Sequence, residues 1–112
     1  MSSSEEEQIY SIALTMVPGI GHIGAKHLID GMNNAVDVFR LRKEIPERIP
    51  EVSQRVVDAL DCPQAVIRAE QEYEFIRKNR ISCLTFHDEA YPSRLRECED
   101  APIVLFFNLN NS

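Results

Sequence analysis

The run Val17-Pro18-Gly19-Ile20-Gly21-His22-Ile23-Gly24-Ala25-Lys26-His27-Leu28-Ile29 decides how this chain is read. Pro18 and Gly19 end the helix that precedes them, and Ala25, Leu28 and Ile29 then return at helical spacing. The pattern predicts a short helix, a glycine hairpin and a second helix. Gly19 and Gly21 bracket Ile20, and glycine accepts positive φ and the close approach of another backbone. In that geometry the N–H groups at the start of the second helix point outward, backed by the positive end of the helix dipole. Such an N-terminus can hold a phosphate oxygen. Ile20 is expected to plug between the helices, Ala25 to let them approach, and Lys26 to add a second phosphate contact. Gly19, Ile20, Gly21, His22, Gly24 and Lys26 are therefore the candidate nucleic-acid-binding residues, and contacts of this kind position a backbone without reading sequence.

The stretch Gln8–Ile29 contains no Asp or Glu, although the 112-residue chain carries a formal net charge of -6. Non-specific DNA affinity grows with the phosphates neutralised by Lys and Arg. Overall acidity thus confines any DNA contact to the hairpin and makes it weak on its own. A content of 44% apolar residues fits a globular chain with a modest core. No apolar run approaches the roughly 20 residues that span a bilayer, and the start Met1-Ser2-Ser3-Ser4-Glu5-Glu6-Glu7 has no secretory pattern. Residues 1–7 read as a disordered acidic leader and the protein as cytoplasmic. Cys62, Cys83 and Cys98 are an odd set without metal-ligand spacing, which reads as reduced thiols.

Working outward, Ile9, Ile12, Ala13 and Met16 predict a helix over 8–16, and the second helix runs from about Ile23 to Asp30 with Gly31 as its C-cap glycine. Asn33-Asn34 cap a third helix with Ala35, Val36, Val38 and Phe39 inward. Pro46 and Pro50 make 42–50 a loop. A fourth helix covers about 51–60, and Pro63 opens a fifth reaching Lys78 on a Val66, Ala69, Tyr73 and Ile76 stripe. Ile81–Phe86 reads as a strand. Residues 87–102 connect it, with a helical turn at 93–96, to the apolar run Ile103–Phe107, which reads as a strand buried on both faces. The fold class is mainly α: a helical domain over 8–80, then at 81–112 two strands of an incomplete α/β domain. A buried strand so near the last residue leads to the expectation of an N-terminal fragment.

Other candidates have plainer readings. His22 and His27 lack the i, i+4 spacing of paired ligands and read as surface residues. His87-Asp88-Glu89 cannot converge on one ion and reads as a solvated turn. Cys83 reads as a small core residue, and Arg77-Lys78-Asn79-Arg80 as a basic helix end. No nucleophile–base arrangement or P-loop is present, so neither catalysis nor a cofactor is expected.

Two motifs together carry a family resemblance: Leu14-x-Met16-Val17-Pro18-Gly19-Ile20-Gly21-x3-Ala25-Lys26-x-Leu28-Ile29, and Asp88-x2-Tyr91-Pro92-x2-Leu95-x5-Ala101-Pro102-Ile103-Val104-Leu105-Phe106-Phe107. In order and spacing, residues 8–107 resemble the N-terminal part of the DNA processing protein family DprA, also called Smf. The resemblance implies a SAM-like, helix-hairpin-helix domain leading into a Rossmann-like domain. It implies a non-enzymatic protein that binds single-stranded DNA and helps load RecA in natural transformation, with self-association through the Rossmann-like domain. Where the family continues with a basic residue and a glycine, this chain has Asn108-Leu109-Asn110. Two rivals stand beside that reading: a SAM-type protein–protein interaction module without DNA contact, and the DNA-anchoring part of a repair nuclease or glycosylase.

Overall fold

The computed structural model describes residues 3–108. The remaining positions of the expected leader and of the terminal segment, 1–2 and 109–112, lie outside the described residues. The chain is mainly helical and ends in a small two-stranded antiparallel sheet. Its helices are α1 (Ser3–Met16), α2 (Gly21–Met32), α3 (Ala35–Arg40), α4 (Ile45–Arg48), α5 (Gln54–Ala59), α6 (Pro63–Lys78) and α7 (Ser93–Arg96). The strands are β1 (Ile81–Thr85) and β2 (Val104–Asn108).

Helix α1 is the post against which α6, α3 and β1 pack. It begins at Ser3, well ahead of the expected Gln8, so Glu5, Glu6 and Glu7 are helical and do not form a disordered leader. Acidic side chains in a first turn complement the helix dipole, and here they also have tertiary work. The Glu7 carboxylate accepts from the backbone N–H groups of Ala35 (2.7 Å) and Val36 (3.2 Å), tying α1 to the start of α3. Buried Ser11 donates to the same carboxylate at 3.4 Å. Glu6 pairs with Arg40 at 3.0 Å, and the Gln8 amide donates to the Cys83 carbonyl at 3.1 Å, fastening α1 to β1.

Several local expectations change. Helix α2 runs through Gly31 to Met32, and Asn33 takes the positive φ (78°) that ends it. Gly31 is needed for space instead: a methyl group there would collide with the Ile49 side chain. Asn34 does cap α3, accepting from Asp37 N at 2.8 Å. The segment expected as a loop over 42–50 holds a 3-10 turn (Arg42–Glu44) and α4. Pro46 lies in its first turn, where a missing N–H costs nothing. The start of α5 falls at Gln54, later than the expected 51. Helix α6 matches its expected span, closed by Asn79, whose side chain donates to the Phe75 carbonyl at 2.8 Å.

β1 and β2 pair in antiparallel register, with Cys83 opposite Phe106 and Leu84 opposite Leu105. Residues on one face alternate with those on the other, so Cys83 and Val104 share the face buried against the helices. The run Ile103–Phe107 is not buried on both faces as expected. Ile103 and Val104 are buried, whereas Phe106 and Phe107 are 49% and 46% exposed. Among the described residues β2 has β1 as its one neighbour, which leaves its outer end uncovered. The hydrophobic core is continuous from Ile12 through Leu28, Val38 and Ile76 to Phe86, Tyr91 and Ile103. It therefore crosses the boundary expected at residue 80.

Residues 86–103 fold around Arg96. Its guanidinium donates to the carbonyls of Phe86 (3.0 Å) and Asp88 (2.9 Å) and lies over the Tyr91 ring at 5.3 Å. The buried Tyr91 hydroxyl donates to Pro102 O at 2.6 Å, just before β2. Asp88 closes the first turn, its side chain accepting from Ala90 N at 3.0 Å. The His87-Asp88-Glu89 stretch is thus a turn, as its composition suggests.

Candidate nucleic-acid interface

Between α1 and α2 the chain reverses over residues 17–20. Val17 is buried and donates to Leu14 O at 3.4 Å, closing the end of α1. Gly19 and Gly21 both take positive φ, +88° and +71°, with open space where a Cβ would be. The two glycines are therefore required by backbone conformation and not by crowding. Ile20 sits between them in a right-handed conformation. It is half-buried against the edge of the core, so it seals the hairpin without being the full plug expected from its position. Its side chain lies against Gly24, where a Cβ would stand 3.3 Å from Ile20 Cγ2.

Ala25, Leu28, Ile29 and Met32 are the buried face of α2 and anchor the hairpin from behind. Gly19, Gly21, His22 and Ile23 are exposed; Gly24 and Lys26 are half-buried. No side chain caps the first turn of α2. The N–H groups there have no helical carbonyl to bond, so this end of α2 has the polarity to receive an anion. A small cleft of about 60 Å³, lined by Thr15, Gly21, His22 and Ala25, opens beside it. The structure thus brings all six candidate residues to one turn. What it can do chemically is hold a single oxyanion and, through Lys26, add one positive charge.

Between the start of α2 and the start of α5 runs a second groove of about 260 Å³. It was not legible in the sequence, because it joins Gly24 and His27 to residues 51–56. The roles of Glu7 and Arg96 are not legible in the sequence either, because most of their hydrogen-bond acceptors and donors are backbone atoms, which leave no side-chain signature.

Burial, aided by the Asp88 charge, pushes the Cys83 thiol up to about 12. Burial is also the main cause that raises Tyr73 and Tyr91, and the Arg96 guanidinium partly offsets it at Tyr91. All three groups bind their protons more tightly in the folded state. The Cys83 contribution is complete below the ordinary thiol value of 9.0 and is lost as pH rises toward about 12. Stability followed by denaturant unfolding is expected to be level on that account from neutral pH to about 9 and to fall beyond it. A flat profile through pH 12 would show that the Cys83 thiol is not held in its protonated form.

Among the described residues no group of His, Cys, Asp and Glu is placed to hold a metal ion. Nor is any helix there long and apolar enough to cross a membrane. No family model, curated protein or solved structure matches the chain.

Proposed function

We propose that this chain is the DNA-handling, helix-hairpin-helix part of a DprA-like cytoplasmic protein, contacting DNA without sequence preference and without catalysis. The hairpin holds one backbone phosphate on the N–H groups of residues 21–24, and Lys26 supplies charge. The observation that carries this reading is the exposed turn itself. Two glycines at positive φ present an uncapped helix start within a stretch free of carboxylates. The wider role that the family resemblance implies, single-stranded DNA binding with RecA loading and self-association through a Rossmann-like domain, belongs to the same proposal.

Lys26→Glu tests it. Removing one phosphate contact is expected to weaken single-stranded DNA binding severalfold and to reduce the salt slope by about 0.7. Fluorescence anisotropy across a salt series reads both quantities. Unchanged affinity and slope would remove the DNA reading.

A second reading, a protein-interaction module, is favoured by a groove of about 410 Å³ between α1 and α6. Ile9, Tyr10, Val66 and Tyr73 contribute apolar surface there, while Glu70 and Glu74 give it an acidic side. Arg40 and Arg77 also line it, so the groove suits a protein segment of mixed charge.

A further inference from the structure

We propose that the groove beside the hairpin receives one unpaired nucleobase of the strand whose phosphate the hairpin holds, an inference that rests on the DNA reading above. Gly19, Ile20 and Gly24 of the hairpin line this groove, so a nucleotide whose phosphate lies on the N–H groups of residues 21–24 can reach it with its base. At about 260 Å³ the groove is smaller than the roughly 300–1,000 Å³ clefts that hold drug-sized molecules. Its size suits one planar heterocycle.

The lining is chemically divided in the way a base requires. Half-buried Ile20, Val52 and Val56 present aliphatic surface to the flat faces of a ring. His27 stands exposed at the mouth and offers an aromatic plate for stacking. Ser53 occupies the N-cap position of α5, yet its side chain makes no capping hydrogen bond. Its hydroxyl therefore remains available to a ring edge. Glu51 adds a carboxylate, an acceptor for the exocyclic amino groups of cytosine or adenine.

Glu51 also fixes the orientation. A carboxylate in this groove repels a phosphate, whereas the hairpin stretch carries none. The phosphate is thus directed to the hairpin and the base to the groove. Base-paired DNA cannot use such a site without extruding a base, at a cost of a few kcal/mol. The pair of sites consequently selects single strands over duplex.

The test compares three probes on the 112-residue chain: oligodeoxycytidine, a wholly abasic deoxyribose-phosphate strand of the same length, and a duplex. The oligodeoxycytidine is expected to bind about fivefold or more tighter than the abasic strand at one salt concentration. His27→Ala should bring that ratio toward one while leaving the abasic affinity unchanged. Val56→Asp, which places a second carboxylate in the groove, should also bring the ratio toward one, its added charge lowering the affinity for both strands. Equal binding of the two single strands by the unaltered chain overturns the groove inference and leaves the phosphate contact standing. Binding of neither strand overturns both. A ratio that survives both substitutions places the base elsewhere and also overturns the inference.

Discussion

Arg96→Ala is expected to cost about 3–5 kcal/mol of unfolding free energy, the largest effect of any single substitution considered for this chain. The side chain spends two guanidinium donors on the carbonyls of Phe86 and Asp88, at 3.0 and 2.9 Å. Hydrogen bonds from charged donors are worth about 1.5–3 kcal/mol each. The same group covers the faces of Tyr91 and Phe86 at 5.3 and 5.7 Å, adding about 0.5–1 kcal/mol per ring. Those rings also contact each other, with centroids 5.4 Å apart. Alanine would orphan the Phe86 carbonyl and uncover both aromatics. Arg96→Lys keeps the charge but not the planar fork, so it should recover less than half of the loss. Urea unfolding of the three proteins measures this. A change below about 1 kcal/mol for alanine would mean that residues 86–103 are held by Tyr91 and its neighbours alone.

Glu7→Ala is expected to cost about 2–4 kcal/mol. One carboxylate satisfies two backbone donors at the start of α3 and the hydroxyl of Ser11. Ser11 is fully buried, so its hydroxyl would lose its acceptor in a place water does not reach. Glu7→Gln retains one acceptor oxygen and should fall between alanine and the unaltered chain. Amide hydrogen exchange at Ala35 and Val36 supplies a local readout. Both amides should exchange far faster in Glu7→Ala, and unchanged protection there would show that another acceptor replaces the carboxylate.

What the sequence made legible follows from how locally each feature is encoded. The turn around Gly19 and Gly21 was readable because positive φ selects glycine within a few residues. Helix α6 was readable because Pro63 opens it, Asn79 closes it, and a complete apolar stripe lies between. The mainly α architecture followed from such stripes. The helical start is not legible because Glu5, Glu6 and Glu7 resemble a solvated charge run, whereas the backbone partners of Glu7 lie 28 and 29 positions away. Gly31 has the sequence signature of a helix terminator, whereas the Ile49 side chain occupies its missing side-chain space. Pro46 suggested a loop, although proline also begins helices. At the candidate site, the six hairpin residues could be assigned from spacing. The groove behind them could not, since it forms only when α5 folds back beside α2.

The placement of α1 also shapes how the molecule is made. This helix leaves the ribosome before every element it packs on, and Gln8 meets its acceptor on Cys83 75 positions later. At roughly 5–20 residues per second, Gln8 waits roughly 4–15 seconds for that acceptor, while the apolar face of Ile12, Ala13 and Leu14 is covered only in part. Chain collapse takes microseconds, so that face is expected to engage whatever apolar surface comes first, either α2 and α3 or a nascent-chain chaperone. Final locking comes only when β1 clears the exit tunnel. Synthesis stalled between α6 and β1 should therefore yield a protease-sensitive chain that already carries its finished hairpin.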